Sequence, residues 1–460
     1  LGDVYKRQKK AGVSGSGRAV WINNSVKKKK AHIIKRGYRN RISSFFAKDG
    51  ENRRERMKKI SAYYRIIQNL TCMGFFFTLI FAVKSFENAV PDEIYVRAGE
   101  TVSYDFDVPV SVVLKQDSTE VFEYLTKDSP LTYCVNCRLF GIFPVKDITV
   151  MLVEPETVYA SGMPVGIYAK TKGVLVIGNG EVERVDGREV KPSENLVKSG
   201  DYIVSVNGMA VSEKEDLAAA VNEAGGGKDI LGIMRGEEYI EVSLDPVKSV
   251  SGKYMLGVWV RDDLAGVGTL TYYKADGTYA ALGHAVSDSD TGTIMSMAEG
   301  YLYHTDIVGI KKGKSGTPGE LSGIIQYGDS TRIGSIMQNT GLGIHGVLNG
   351  NLKWLETGEC YEVRYKQDIR TGSAFIVSSV SGESKKYEVM VESVDYSGKE
   401  ENKGILIRVT DPELLELTGG IVQGMSGSPI IQDGKLIGAV THVLVNDPTR
   451  GYGIFIEKML

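Results

Sequence analysis

Cysteine is scarce in this sequence, and its scarcity excludes a small protein built on a disulfide framework. Four cysteines are spread over 460 residues, which is too few to hold such a framework together. Cys134 and Cys137 form one C-x-x-C pair, but a structural zinc site needs further ligands and the sequence has no second pair. We therefore interpret the pair as structural thiols that can occasionally be oxidised.

Proline is sparse as well, with 12 residues against 54 glycines. Together with many valines, isoleucines and tyrosines, this composition favours β-structure with many turns. We therefore expect a mainly β fold.

Long apolar runs are rare, and the run that suggests a membrane segment lies between Ile66 and Val83. Its length is close to the roughly 20 residues that a membrane-spanning helix needs. Basic residues cluster before it, so the positive-inside rule places the N-terminus in the cytoplasm and the residues after 85 outside. We predict an uncleaved transmembrane signal-anchor at residues 66–84, with a cleaved signal peptide as the alternative.

The net charge of −2 hides a strongly basic N-terminal region. Residues 1–65 hold 20 Lys and Arg against 4 Asp and Glu, so the remainder of the chain is acidic. Few aromatic residues interleave with these charges, and a membrane segment follows them. We therefore expect a disordered, basic cytoplasmic tail over residues 1–65 and no binding of nucleic acid.

Three regions follow the membrane segment. Residues 86–160 alternate in short apolar runs and predict a small β-rich domain. Residues 161–248 combine short strands with a helical pattern over 213–222, which predicts an α+β domain. Residues 249–460 are rich in short strands, a pattern typical of a sandwich or a double barrel.

The middle region resembles a PDZ domain of the bacterial protease type. The resemblance rests on the string S-G-D-Y-I-V-S-V-N-G, which ends at Gly208 and is followed by E-D-L. A PDZ domain binds an extended peptide ligand at a sheet edge, and we predict that Val165, Gly166 and Ile167 form the loop for the peptide carboxylate. The alternative is a domain that merely packs against its neighbour.

The string Gly424-Met-Ser-Gly-Ser-Pro429 is the candidate active centre. A serine needs a base and oxyanion donors before it can act as a nucleophile. Small residues allow a sharp turn around Ser426, in which the amides of Gly424 and Ser426 can point the same way. Two apolar strands joined by Asp433-Gly434 follow, so we expect a rigid hairpin behind the serine. A simple Gly/Ser turn between strands would give the same pattern.

The residues alone do not choose the base or the carboxylate that orients it. His32 lies in the basic tail and is excluded. The remaining candidate bases are His284, His304, His345 and His442, and the candidate carboxylates are Asp288, Asp290, Asp306 and Asp411. A helix cap is the alternative role for Asp411, which directly precedes a proline.

Two further stretches resemble the peptidase family of stage IV sporulation protein B. They are Leu282-Gly-His-Ala-Val-Ser-Asp-Ser-Asp290 and the block from Gly420 to Glu457. The resemblance implies a chymotrypsin-like double β-barrel whose catalytic triad is His284, Asp411 and Ser426, with oxyanion donors at Gly424 and Ser426. It implies no metal and no organic cofactor.

The resemblance also implies a role in sporulation signalling. Such a peptidase crosses the inner forespore membrane and acts in the space between forespore and mother cell. It cleaves itself and then a membrane-bound inhibitory complex of an intramembrane protease, which can then process a late sigma-factor precursor. The alternatives are a quality-control PDZ serine protease and an inactive, membrane-anchored PDZ scaffold.

Overall fold

The computed structural model describes residues 24–97, 110–114, 132–350, 358–396 and 398–460. It divides into two compact units, residues 1–82 and 83–460, which are considered separately. Helix α1 (Asn24–Asn88) begins in the first unit, and its part Arg53–Asn88 is long and apolar enough to cross a membrane. This agrees with the predicted anchor at 66–84.

The expected disorder of residues 1–65 is wrong for 24–65, which are helical. Lysine and arginine are the most frequent residues in this stretch, and both are good helix formers even without an amphipathic period. Residues 1–23 lie outside the described part of the chain.

A small β-sheet opens the second unit, in the region predicted as a β-rich domain. Its strand order is β1-β4-β3-β2, and its core includes Ile94, Val135, Ile148 and Val150. Cys134 is exposed and Cys137 is buried. The strands are β1 (Glu93–Arg97), β2 (Val110–Leu114), β3 (Thr132–Leu139) and β4 (Phe143–Val153).

The rest of the unit contains the remaining strands and two helices. In chain order they are β5 (Thr157–Asn179), β6 (Val182–Glu183), β7 (Glu189–Val190), β8 (Tyr202–Val206), β9 (Met209–Ala210), α2 (Lys214–Glu223), β10 (Asp229–Arg235), β11 (Glu238–Leu244), β12 (Val247–Lys248), β13 (Tyr254–Met255), β14 (Val258–Tyr273), β15 (Thr278–Ala281), β16 (Met297–Lys311), β17 (Gly319–Ile325), β18 (Arg332–Thr340), β19 (Gly343–Leu348), β20 (Glu359–Val363), β21 (Gly372–Ser378), β22 (Lys385–Val394), β23 (Ile405–Val409), α3 (Pro412–Thr418), β24 (Val422–Gln423), β25 (Pro429–Gln432), β26 (Lys435–Leu444) and β27 (Asp447–Phe455).

Two closed barrels form most of the second unit, as the resemblance implied, and the first of them includes β5. In barrel 1, pairing runs β5-β14-β15-β19-β18-β16 and returns to β5. In barrel 2 it runs β21-β22-β23-β27-β26-β25 and returns to β21. Each barrel encloses its own apolar core. A third cluster, which includes Tyr272, Val363, Leu436 and Ile454, joins the two barrels.

Residues 174–256 form an α+β lobe with a separate core, where the PDZ resemblance was found. Helix α2 buries Leu217, Ala220 and Val221 against the strands, the face that the sequence predicted. The boundary at 161 is wrong, because β5 begins at Thr157 and runs without a break from barrel 1 into the lobe.

The predicted peptide-carboxylate loop at Val165, Gly166 and Ile167 is wrong for the same reason. These residues lie in the middle of β5 and pair with β14 on one side and β16 on the other. Val165 and Ile167 are buried in the core of barrel 1. Their backbone groups are thus engaged in the barrel and are not available to bind a carboxylate.

Candidate active site

The loop that carries Ser426 joins β24 to β25 at the edge of barrel 2. Gly424 and Gly427 both have φ of 99°, a left-handed conformation that favours glycine. A Cβ atom on Gly427 would lie 2.1 Å from the carbonyl oxygen of Thr269. The loop can therefore approach barrel 1 this closely only because the residue after Ser426 is glycine.

Some backbone amides of this loop donate hydrogen bonds within the protein, and others do not. Met425 donates to the Val422 carbonyl at 3.1 Å, and Gly427 donates to the Val440 carbonyl at 2.7 Å. The amides of Gly424 and Ser426 take no part in the loop's described hydrogen bonds. These two N–H groups are the pair that the sequence predicted as oxyanion donors.

His284 follows β15 of barrel 1, after a sharp turn. Leu282 and Gly283 have φ of 71° and 70°, and a non-glycine residue in this region is strained. The His284 Nδ1 atom lies 2.8 Å from the Ala285 carbonyl oxygen. Because a carbonyl can only accept, Nδ1 carries the proton and Nε2 keeps its lone pair. Burial lowers the pKa of His284, and the Ala285 carbonyl offsets part of that effect.

Ser426 and His284 line one cavity of about 470 Å³ between the two barrels. Oγ of Ser426 donates a hydrogen bond of 2.8 Å to the carbonyl oxygen of Thr441, which also lines the cavity. Barrel packing thus brings the predicted nucleophile and the predicted base to the same cavity. The other described lining residues are Ile167, Leu264, Gly266, Val267, Leu282, Ala285, Val286, Ser287, Pro318, Ile421, Val422, Gln423, Gly424, His442, Val443 and Val445.

A second imidazole lies beside the first. The ring centroids of His284 and His442 are 5.4 Å apart. Burial, followed by the neighbouring His284 and Lys403, lowers the pKa of His442 to about 4. His442 is therefore neutral at physiological pH and adds no charge beside the base.

Asp411, the third predicted triad member, lies at the N-terminus of α3. One carboxylate oxygen accepts from the Leu414 amide at 3.0 Å, and the other accepts from the Glu388 amide at 3.2 Å. Asp411 is not among the described residues that line the cavity. The structure thus gives Asp411 the capping role that the sequence left as an alternative, and its part in the triad stays a prediction.

The remaining candidate carboxylates have other partners. Arg261 forms ion pairs with Asp288 and, at 2.8 Å, with Asp290. Burial would raise the pKa of Asp288, but the Thr291 amide and Arg261 outweigh it and lower that pKa. Asp306 bonds to the Gln326 side chain at 2.5 Å.

Two of the histidines lie away from the cavity. Nε2 of His345 is 3.1 Å from the Met459 carbonyl oxygen. His304 is exposed on β16. Of the candidate bases, His284 and His442 are therefore the two that the described cavity brings near Ser426.

Thr269 of β14 is a site residue that the sequence analysis missed. Its hydroxyl donates to the Gly424 carbonyl at 2.8 Å, and its amide donates to the Ser426 carbonyl at 3.1 Å. Its own carbonyl accepts from the Leu282 amide at 3.3 Å. Thr269 therefore fastens the nucleophile loop of barrel 2 to the His284 turn of barrel 1.

Asn339 of β18 was missed as well. Its side chain accepts from the Val286 amide and donates to the Val286 carbonyl, both at 2.8 Å. It also donates to the Met295 carbonyl at 3.0 Å. Asn339 thus holds the segment that follows His284. Neither Thr269 nor Asn339 lies in a recognisable sequence motif, so their contacts with the site can be seen only in the folded barrels.

Residues 252–460 match the family of SpoIVB peptidase S55. This range contains both barrels' catalytic candidates, His284 and Ser426.

Two curated proteins of Xylella fastidiosa, from strains Temecula1 and 9a5c, are 35% identical to this chain over 68 residues. Their names contain the words "zinc metalloprotease". The match covers 14% of this chain and 15% of each relative, so the chain spans a small part of their length. Within the described ranges, no group of three histidine, cysteine or acidic side chains could hold a metal ion.

Among solved structures, the HtrA-type protease AlgW with a decapeptide is similar at 10% identity and a TM-score of 0.27. That match covers 65% of this chain and 62% of the other. At this TM-score, nothing further follows from the likeness.

Proposed function

We propose that this chain, whose residues 252–460 belong to the SpoIVB peptidase S55 family, is a membrane-anchored serine endopeptidase. One observation carries the proposal: Ser426, the His284 imidazole with its Nδ1 on a backbone carbonyl, and the loop with the Gly424 and Ser426 amides meet at one cavity. These are the nucleophile, the base and the oxyanion donors that peptide hydrolysis requires.

The reaction begins when the Ser426 hydroxyl leaves the Thr441 carbonyl and turns to Nε2 of His284. Ser426 then attacks the substrate carbonyl while His284 takes the proton. The amides of Gly424 and Ser426 bind the oxyanion, and His284 protonates the leaving amine. Water then attacks the acyl-enzyme while His284 takes its proton, and His284 returns a proton to the Ser426 oxygen as the carboxylic acid leaves.

The orientation of His284 comes from the Ala285 carbonyl, which accepts the Nδ1 proton. In serine peptidases a carboxylate commonly fills this place, and Asp411 was predicted for it. Because both Asp411 oxygens bond to backbone amides, we assign Asp411 a positioning role through α3, which leads into the nucleophile loop.

The proposed substrates, peptide ligand and membrane location are those that the family resemblance implies. The proposed substrates are the chain itself and a membrane-bound regulatory complex that restrains an intramembrane protease in sporulation. The α+β lobe would bind a peptide ligand as a PDZ domain does. The helix Arg53–Asn88, with basic residues before its apolar part, supports membrane anchoring with the barrels outside the cytoplasm. That this membrane is the inner forespore membrane is proposed from the family resemblance alone.

The direct test uses the full chain in detergent as wild type, Ser426→Ala and His284→Gln. One sample of each is treated with a fluorophosphonate probe, and the intact mass of a second, untreated sample is followed over time. We expect the wild type to be labelled at Ser426 and to shorten, whereas both variants stay whole. If the probe leaves Ser426 unlabelled, the peptidase proposal fails and an inactive anchored scaffold becomes the better description.

A separate test addresses the sporulation role. An endospore-forming strain that lacks its own peptidase of this family would receive either the wild type or Ser426→Ala. We expect only the wild type to restore processing of the late sigma-factor precursor. If the wild type is active in detergent but does not restore precursor processing in cells, the peptidase proposal holds and the signalling role is contradicted.

A further inference from the structure

The wall of the active-site cavity is uncharged and mostly aliphatic. None of the described residues that line it carries a carboxylate, an ammonium or a guanidinium group. Its two histidines are held in the neutral form, because burial lowers the pKa of each. A charged group that entered the cavity would therefore meet no opposite charge.

The aliphatic side chains flank the reacting atoms on the barrel 2 side. Ile421 and Val422 directly precede the loop with the oxyanion amides. Val443 and Val445 follow Thr441, whose carbonyl holds the Ser426 hydroxyl. The chain therefore places apolar surface on both sides of the position where a substrate carbonyl must bind.

Barrel 1 supplies the opposite wall with similar chemistry. Val267 and Leu282 lie across from the nucleophile loop, and Ile167 of β5 completes this side. Gly266 also lines the cavity, and a Cβ atom built on it meets no heavy atom within 4 Å. The space beside Gly266 is thus open to a substrate side chain.

We propose that the peptidase cleaves after an uncharged aliphatic residue, whose side chain occupies this cavity. The inference rests on the proposed peptidase function and names its substrate class. The attacked carbonyl must lie within reach of Ser426, and its own side chain branches one bond away, inside the same cavity. An aliphatic side chain gains from apolar burial there, whereas an unpaired charge loses its hydration without compensation.

The test measures how fast matched peptidyl diphenyl phosphonates label the full chain in detergent. The probes differ only in the side chain before the phosphorus, which is that of alanine, valine, leucine, lysine or glutamate. Oγ of Ser426 forms a bond to phosphorus, one phenoxide leaves, and the proton passes through His284 to give phenol. We expect valine or leucine to react at least about 100-fold faster than lysine or glutamate.

Val445→Asp places a carboxylate at the cavity rim, where Val445 is 51% exposed and the charge can be tolerated. We expect this variant to raise the lysine-to-leucine labelling ratio by about 10-fold or more. Val308→Asp is the matched control, because Val308 is 61% exposed and does not line the cavity. It should leave the ratio unchanged.

Gly266→Val tests the size of the cavity, because its side chain would fill the open space. It should slow the leucine probe by about 10-fold while leaving the alanine probe near the wild-type rate. A plain fluorophosphonate, which has no such side chain, shows in each variant that the catalytic groups remain intact.

The outcomes separate the two proposals. If the wild type prefers lysine or glutamate, or if Val445→Asp and Val308→Asp have equal effects, the substrate class is wrong while the peptidase stands. If the plain fluorophosphonate also fails to label Ser426, the peptidase proposal fails, and this inference fails with it.

Discussion

Replacing Asp411 tests whether its carboxylate acts in catalysis or stabilises the fold. In Asp411→Asn, one side-chain oxygen remains to cap α3 through the Leu414 amide. The other oxygen becomes an NH2 group that faces the Glu388 amide, so the second hydrogen bond is lost. Asp411→Ala loses both hydrogen bonds. Asp411→Ser keeps only the capping hydrogen bond from the Leu414 amide.

The expected stability losses can be worked out from these two contacts. A lost N-cap costs about 1 kcal/mol, and a lost hydrogen bond to a charged acceptor costs roughly 1.5–3 kcal/mol. Asp411 is half-buried, so the lower end applies, and Asp411→Ala should lose about 2–3 kcal/mol. In a unit that spans residues 83–460, that corresponds to a fall in Tm of roughly 3–4 °C. Asp411→Asn and Asp411→Ser should fall by about half as much.

The catalytic effect should be small by comparison. Removing a triad carboxylate costs about 10⁴-fold in rate, or roughly 5.5 kcal/mol of transition-state stabilisation. If Asp411 acts through α3, the fluorophosphonate labelling rate per folded molecule should fall by no more than about 10-fold. The assay pairs this rate with thermal unfolding of each variant. Ser426→Ala is the control, because it should abolish labelling at an unchanged Tm.

One result would refute this reasoning. If Asp411→Asn unfolds at the wild-type temperature but loses labelling by about 10⁴-fold, Asp411 is the orienting carboxylate that the family resemblance implied. The cavity would then have to rearrange before catalysis.

Three further predictions concern the site and its support. Burial lowers the pKa of His284 from its ordinary 6.5, so labelling of Ser426 should rise with pH around a midpoint below 6.5; a midpoint above it would contradict this. Thr269→Val removes the hydroxyl that holds Gly424 and should slow labelling by about 10-fold, whereas Thr271→Val, whose buried hydroxyl has no partner in the structure, should not. Burial raises the pKa of Glu457 from 4.5 to about 7, so folding stability should fall by about 3 kcal/mol as the pH rises between those values. Glu457→Gln should flatten this loss in thermal unfolding measured from pH 4 to 8.

The nucleophile loop was predictable because its signals are local. Gly424 and Gly427 adopt the conformations that a sharp turn needs. Asp433 and Gly434 have φ of 48° and 73° and close the expected hairpin between β25 and β26. Each of these features is set by residues within a few positions of one another.

The identity of the base was not predictable from the residues alone. His284 and Ser426 are separated by most of the peptidase region, and the packing of two closed barrels brings them to one cavity. The same packing brings in His442, which is another of the candidate bases named from the sequence. The family resemblance selected His284, because spacing carries no information about such a long-range contact.

The prediction of the peptide-carboxylate loop was wrong for the opposite reason. It relied on a local pattern, whereas pairing with distant strands determines the structure of these residues. The PDZ resemblance led us to place the loop at Val165, Gly166 and Ile167, but β14 and β16 pair with these residues on both sides. A Cβ on Gly166 would lie 2.4 Å from the Thr305 hydroxyl oxygen. The glycine therefore permits close strand packing, which no neighbouring residue reveals.

The continuity of β5 changes how the α+β lobe can influence catalysis. Strand β5 pairs with β8 of the lobe at Leu175 and contributes Ile167 to the active-site cavity. The lobe also touches the segment after His284, because the Tyr202 hydroxyl accepts from the Ser296 amide at 3.0 Å. Hydrogen-bonded routes through β5 and through Tyr202 therefore join the lobe to the site, and β14 forms another, since it also runs from the lobe into barrel 1. An effect of a lobe ligand on catalysis would need to alter one of these routes, since a flexible hinge does not separate the lobe from barrel 1.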